Sequence, residues 1–118
     1  MNISIKATGI ELTPAIKDYA EKRLKSISKF TDGEPTLMVE IGKATSHHKQ
    51  GEIFEARVNV TTPLGKHYYA ISEKADLYEA IDDIRAEVVH EITAAKGKQE
   101  SVFRRGARKF KNMIRGLR

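Results

Sequence analysis

The sequence predicts an α+β fold in the order β-α-β-β-β-α, with four strands in one sheet and two helices packed on one face of it. Four short segments alternate apolar and polar residues, which is typical of strands with one buried face. Two longer segments repeat apolar residues at intervals of three and four, which is typical of helices with one buried stripe. A sheet face and two such stripes form one core when the helices lie together on that face.

The first strand and the first helix occupy the N-terminal third of the chain. Residues 2–7 alternate as a strand does. Thr13 and Pro14 match an N-cap followed by the first helical position, and Gly33 marks the end of the helix. The predicted core stripe of this helix consists of Ile16, Tyr19, Ala20, Leu24, Ile27 and Phe30.

Three further strands are predicted at residues 36–41, 53–62 and 66–72. A type I turn at residues 62–65 joins the last two, with Pro at its second position and Gly at its fourth. The residues predicted to face the core are Leu37, Val39, Ile41, Phe54, Ala56, Val58, Val60, Tyr69 and Ile71.

The second helix is predicted to begin after Asp76, which forms a capping-box pattern with Glu79, and to end at Gly97. Its stripe is Leu77, Ile81, Ile84, Val88, Ile92 and Ala95. Residues 1–97 therefore form one domain, and residues 98–118 a basic tail. We expect this tail to be mobile, because ordering the backbone costs about 1–2 kcal/mol per residue.

Composition places the chain among soluble globular proteins, with 118 residues, 31% charged and 40% hydrophobic. No apolar run approaches the roughly 20 residues of a membrane span. The sequence contains no cysteine, and its start has no apolar signal region. We therefore expect a cytoplasmic protein.

The net charge of +5 is unevenly divided. Residues 96–118 carry nine Lys or Arg against one Glu, a net charge of +8, which leaves −3 on residues 1–95. Such asymmetry indicates an anionic partner, either a nucleic acid or an acidic membrane surface.

The first helix has a row of cations on the side away from its stripe. A row of this kind can follow a phosphate backbone. It can equally be a solvated face in which Asp18 pairs with Lys22 and Glu21 with Lys25, and the row alone favours that interpretation. The row is Lys22, Lys25 and Lys29, with Arg23 beside it.

The tail alternates apolar residues with cations at helical spacing. Arginine forks bind phosphates and Phe rings stack on unpaired bases, so the pattern favours RNA. A helix lying on a membrane surface looks similar, but Gly106 and Gly116 each cost about 1 kcal/mol in a helix. The apolar positions are Phe103, Ala107, Phe110, Ile114 and Leu117. The candidate RNA-binding cations are Arg104, Arg105, Arg108, Lys109 and Lys111.

Nothing in the sequence indicates catalysis. No nucleophile motif or glycine-rich phosphate loop is found, and Asp82 and Asp83 point about 100° apart on a helix. His47 and His48 point to opposite faces of an extended chain, so they cannot easily hold one metal ion. We expect no enzyme activity, no cofactor and no metal site.

Four segments resemble the ribosome hibernation-promoting factors, also called ribosome-associated inhibitor A. They are residues 2–5, 11–17, 54–60 and 76–82, and the last, Asp-Leu-Tyr-Glu-Ala-Ile-Asp, is the most specific. The resemblance covers residues 2–98. At 118 residues, we expect the chain to lack the C-terminal domain of the long members and to resemble the short form.

The resemblance implies a non-catalytic inhibitor of translation that acts under stress or starvation. Such proteins bind the small ribosomal subunit and its 16S rRNA in the mRNA/tRNA channel, where they compete with mRNA and tRNA. Their fold resembles a double-stranded RNA-binding domain. The RNA contacts fall on Lys22, Arg23 and Lys29 of the first helix and on Lys96 and Lys98 of the second. The implied protein has no membrane or small-molecule partner and is monomeric off the ribosome.

The sequence departs from the family midway along the second helix, where Glu87, His90 and Ala94 stand in place of the usual cations. The basic tail offers replacements for them. Two other functions remain open: a general double-stranded RNA-binding module that acts off the ribosome, and a membrane-surface protein anchored by its tail.

Overall fold

The computed structural model describes residues 2–44 and 52–116, with side chains described in residues 2–44 and 52–97. The predicted element order is confirmed. The elements are β1 (Asn2–Thr8), α1 (Pro14–Lys25), a 3₁₀ segment (Ser26–Phe30), β2 (Thr36–Lys43), β3 (Phe54–Thr61), β4 (His67–Lys74) and α2 (Leu77–Gly116).

The four strands form one sheet in the order β1-β2-β3-β4. β1 is parallel to β2, and the other two pairs are antiparallel. A parallel pair needs a crossover connection, and α1 supplies it. Buried residues of both helices and of β2, β3 and β4 belong to a single core cluster, so the helices cover one face of the sheet as predicted.

The two helices run side by side in the same direction. The residue numbers of the contacting pairs increase together along the two helices, as they must between parallel neighbours. The contacting pairs are Tyr19 with Tyr78, Arg23 with Asp82, and Ser26 with Arg85. The groove between α1 and α2 is therefore lined by one flank of each helix.

Both helix starts follow the predicted capping residues. The Thr13 hydroxyl accepts a hydrogen bond from the Ile16 amide at 3.2 Å, and Pro14 is the first residue of α1. The Asp76 carboxylate accepts one from the Tyr78 amide at 2.9 Å. Each bond satisfies a backbone donor that has no partner within the helix.

The first helix is shorter than predicted. α1 ends at Lys25, and the chain continues as the 3₁₀ segment to Phe30. Ile27 is still fully buried and Phe30 packs against the core, so the apolar stripe continues through the change in helix type. The stripe alone did not distinguish the two geometries, because both place residues three apart on one side.

The predicted core side of β4 was wrong. Tyr69 and Ile71 are 42% and 40% exposed, whereas Ala70 and Ser72 are buried. Directly opposite residues of an antiparallel pair share a face, and buried Val58 pairs with Ala70. A one-residue slip moves every side chain to the other face. Tyr69 and Ile71 are bulkier than Ala70 and Ser72, and this gave a false signal of burial.

The predicted end of the second helix at Gly97 was also wrong, because α2 continues through it to Gly116. A glycine inside a helix costs about 1 kcal/mol relative to alanine but keeps its amide hydrogen bond. One glycine therefore does not end a helix whose neighbours favour it. The division into residues 1–97 and 98–118 stays a prediction, and its boundary lies inside a helix.

Candidate nucleic-acid interface

The outer face of α1 and of the 3₁₀ segment that follows it carries a row of exposed lysines, which we call the lysine row: Lys22, Lys25 and Lys29. On the opposite side of the same segment, Ala20, Leu24 and Ile27 are fully buried. The prediction that these cations point away from the core is confirmed. The buried residues fix the rotation of the helix, so the lysines are presented together to solvent.

One predicted ion pair is present in the lysine row. The Lys22 ammonium lies 3.1 Å from the Asp18 carboxylate, with the two side chains 77% and 63% exposed. A pair this exposed at i, i+4 contributes only about 0.3–0.5 kcal/mol. An approaching phosphate can therefore replace Asp18 as the partner of Lys22 at small cost.

Arg23 connects the two helices. Its Nε lies 3.2 Å from the Asp82 carboxylate, and its guanidinium lies 5.4 Å from the centre of the Tyr19 ring. The Tyr19 hydroxyl donates to the same carboxylate at 2.8 Å. A hydrogen bond with Tyr19, together with the charge of Asp82, raises the pKa of Arg23 above its usual value. Arg23, one of the predicted cations of α1, thus has an acidic partner on the other side of the groove.

Arg85 was missed by the sequence prediction. It lies half-buried on the flank of α2 that faces α1, and its Nε donates to the Ser26 hydroxyl at 2.6 Å. The same hydroxyl donates to the Arg23 carbonyl at 2.5 Å. The sequence signal that could have found Arg85 is its spacing from Tyr78 and Asp82. That spacing indicates a shared flank, but only the parallel packing of the helices shows what the flank faces.

The predicted cations beyond Ile92 divide into two groups. Lys96 is half-buried, with its ammonium 3.6 Å from the Asp32 carboxylate, so it lies beside the loop that follows the 3₁₀ segment. The others lie in the helical backbone of α2, and their side chains lie outside the described part. Their role in RNA binding stays a prediction: Lys98, Arg104, Arg105, Arg108, Lys109 and Lys111.

The other flank of α2 carries four acidic residues at intervals of four, which we call the acidic flank: Glu79, Asp83, Glu87 and Glu91. Asp83 accepts a hydrogen bond from the Ser72 hydroxyl of β4 at 2.6 Å, which places this flank on the β4 side of the helix. The other three are exposed, and so are His90 and Ala94. This surface repels phosphate.

The face of the sheet away from the helices is not a comparable cationic surface. Arg57 forms an ion pair with Glu55 and lies 3.9 Å from Glu40. Hydrogen bonds that Arg57 donates to the Glu55 carboxylate raise the pKa of Arg57. Exposed Met38 and Tyr69 are neighbours of these residues on the same face. The charge of Arg57 on this face is therefore neutralised by carboxylates of the sheet.

The described residues also bear on a metal site and on a membrane span. Within residues 2–44 and 52–97, no group of three or more His, Cys, Asp or Glu side chains could hold a metal ion. In the same ranges no helix combines the length and the apolar character that a membrane crossing needs. The His47-His48 pair lies outside the described residues.

Fold and surface together define a small α+β domain whose helix layer presents cations on one side. The chain belongs to the Sigma 54 modulation protein / S30EA ribosomal protein family, whose model matches residues 3–100. The family resemblance predicted from the sequence is thereby confirmed.

Two curated relatives carry ribosome-related names. The chain is 28% identical over 107 residues to the ribosome hibernation promotion factor of Bacillus subtilis, covering 88% of this chain and 53% of that protein. It is 25% identical over 100 residues to the ribosome hibernation promoting factor of Klebsiella oxytoca, covering 83% and 96%. The chain thus spans about half the length of the Bacillus protein.

Solved structures show the same fold. The N-terminal domain of Thermus thermophilus Protein Y matches with a TM-score of 0.67 and 31% identity, covering 78% of this chain and 96% of that one. A ribosomal subunit interface protein from Coxiella burnetii matches with a TM-score of 0.57 and 22% identity, covering 82% and 99%. The second likeness concerns the fold alone. The predicted α+β class is confirmed.

Proposed function

We propose that this protein is a non-catalytic ribosome hibernation factor. It binds 16S rRNA of the small ribosomal subunit in the mRNA/tRNA channel, excludes mRNA and tRNA, and so inhibits translation under stress or starvation. The observation that carries the proposal is the lysine row of α1, exposed on a domain of the S30EA family. The names of the relatives support the ribosome as the partner.

The lysine row contributes to binding through its spacing. Side chains three or four residues apart on a helix are about 5–6 Å apart at Cβ, so neighbouring cations can bind neighbouring phosphates. Each neutralised phosphate releases counterions, which makes the affinity depend steeply on salt. No bond is made or broken in this mechanism. The protein acts by occupying the channel.

The end of α2 gives the protein a second place to contact RNA. The helix continues from Gly97 to Gly116, a length of roughly 28 Å at 1.5 Å per residue. Its sequence there carries Arg104, Arg105 and Arg108 among other cations. We propose that this segment contacts an RNA segment separate from the one at the lysine row.

Co-sedimentation tests the choice of partner. The full chain is mixed separately with purified small subunits, large subunits, free duplex RNA and anionic liposomes, and the pelleted fraction is measured. The hibernation proposal expects preferential binding to small subunits. Stronger binding to duplex RNA than to subunits would instead support a general RNA-binding module, and binding to liposomes alone would support a membrane-surface protein.

Competition tests the choice of site. Initiator tRNA and a short mRNA are bound to small subunits, and the protein is titrated in while the release of each is followed. Release of both, at protein concentrations that saturate the subunit, is expected. If tRNA, mRNA and protein occupied one subunit without mutual loss of affinity, the proposed site would be wrong.

A further inference from the structure

Arg85 has a fixed position and a charge that its partner does not neutralise. Among the described residues, the structure gives it the Ser26 hydroxyl as hydrogen-bond partner. That hydroxyl is itself held by the Arg23 carbonyl, so the guanidinium is oriented at its Nε. A guanidinium has five N–H donors, of which Nε uses one, and the other four lie on the two Nη atoms.

Ser26 lies between two members of the lysine row. Lys22 precedes it by four residues and Lys29 follows it by three. Positions three and four apart are neighbours on a helix surface, and in a 3₁₀ segment residues three apart eclipse one another. Ser26 begins the 3₁₀ segment, so Lys29 is aligned with it. Arg85 is therefore docked at the uncharged position between two cations.

The acidic residue that precedes Arg85 on the same flank is already engaged. Asp82, one turn earlier on the same flank of α2, is bound by Arg23 and Tyr19. Arg57 on the opposite face of the sheet provides a contrast, because Glu55 and Glu40 neutralise it. Arg85 is bound through a neutral hydroxyl instead. That arrangement holds an arginine in place while leaving its charge for an outside anion.

We propose that Arg85 is an RNA-phosphate ligand contributed by α2 to the lysine row. Lys22, Arg85 and Lys29 form a line of three cations along the edge of the α1–α2 groove, and Arg85 binds its phosphate through its two Nη atoms. Ser26 is the positioning residue. The inference deepens the proposed function and rests on it, since it names how one RNA strand lies on the domain.

The test is a salt titration of binding to small subunits and, in parallel, to a duplex RNA. Arg85→Gln is expected to reduce the slope of log affinity against log salt by about 0.7–0.9, which corresponds to one phosphate contact. At low salt we expect about tenfold weaker binding. The matched control Arg57→Gln removes the same charge from the opposite face and is expected to leave slope and affinity unchanged.

Two further variants separate charge from position. Ser26→Ala keeps the charge of Arg85 but removes its anchor, so binding is expected to weaken with an unchanged slope. Arg85→Lys keeps the charge but removes the planar fork, and the same outcome is expected. Circular dichroism melts of every variant check folding. If Arg85→Gln does not fold, Arg85→Lys decides, because binding equal to that of the unmodified protein overturns the proposal.

The outcomes distinguish this inference from the proposed function. A slope unchanged by Arg85→Gln but lowered by neutralising the lysine row would overturn the role of Arg85 alone. Binding of the unmodified protein to duplex RNA but not to subunits would overturn the ribosomal proposal. The salt slope of Arg85→Gln on duplex RNA would then decide the role of Arg85. Binding to neither would overturn both.

Discussion

The lysine row of α1 and the acidic flank of α2 lie in the same helix layer and carry opposite charges. Both follow intervals of three or four residues along a helix whose other side is buried in one core. Packing therefore fixes where both surfaces point, and the charge decides what each can bind. For the proposed function, the comparison predicts that RNA lies over α1 and the groove, not over the whole helix layer.

The charge carried by the second helix changes from negative to positive along its length. The acidic flank ends at Glu91, whereas Lys96 begins the basic part that α2 carries to Gly116. The net charge of −3 on residues 1–95 thus conceals a basic surface on α1 and an acidic one on α2. Net charge alone would not have located an RNA-binding surface on the body of the domain.

The largest effect is expected from removing the basic end of α2. Deletion of residues 99–118 removes seven Lys or Arg and one Glu. If about four of these cations contact RNA, the salt slope for binding to subunits falls by roughly three. Among the side chains that the structure describes, the buried core cluster ends at Ile92, so circular dichroism should show a folded domain. An unchanged slope would assign this end of α2 to a partner other than RNA.

The next largest effect is expected from the lysine row itself. The triple variant Lys22→Gln/Lys25→Gln/Lys29→Gln should lower the salt slope by about two to three, with stability changed by less than about 0.5 kcal/mol. Its matched control neutralises three exposed lysines of the strands: Lys6, Lys43 and Lys74. Both variants lose the same charge. Equal losses of slope would mean that net charge, rather than the surface of α1, governs binding.

The sequence predicted much of this comparison and missed the part that depends on three-dimensional packing. The periodicity of Leu24 and Ile27 was enough to orient the lysine row, because a helix has a fixed period. The face of β4 depended on its pairing with β3, and Tyr69 gave a false signal. Arg85 could be assigned only after the parallel packing of α1 and α2 was known.

A smaller effect is expected at the contact that crosses the groove. Asp82→Asn keeps an acceptor for the Tyr19 hydroxyl but removes the charge that pairs with Arg23. If Arg23 then binds phosphate, the salt slope rises by about 0.7–0.9. The pair is about half exposed, so the free energy of unfolding should fall only slightly. A slope equal to that of the unmodified protein would leave Arg23 a structural link only.

The smallest effect is expected on the acidic flank. Glu87→Gln/Glu91→Gln removes two exposed carboxylates that lie four residues apart, where like charges destabilise a helix by about 0.2–0.5 kcal/mol. A thermal melt should therefore show slightly higher stability. Because this flank lies on the β4 side of α2, away from the groove, the salt slope for binding to small subunits should stay unchanged. A steeper slope would mean that RNA also covers the acidic flank, and the contrast between the helices would no longer define the interface.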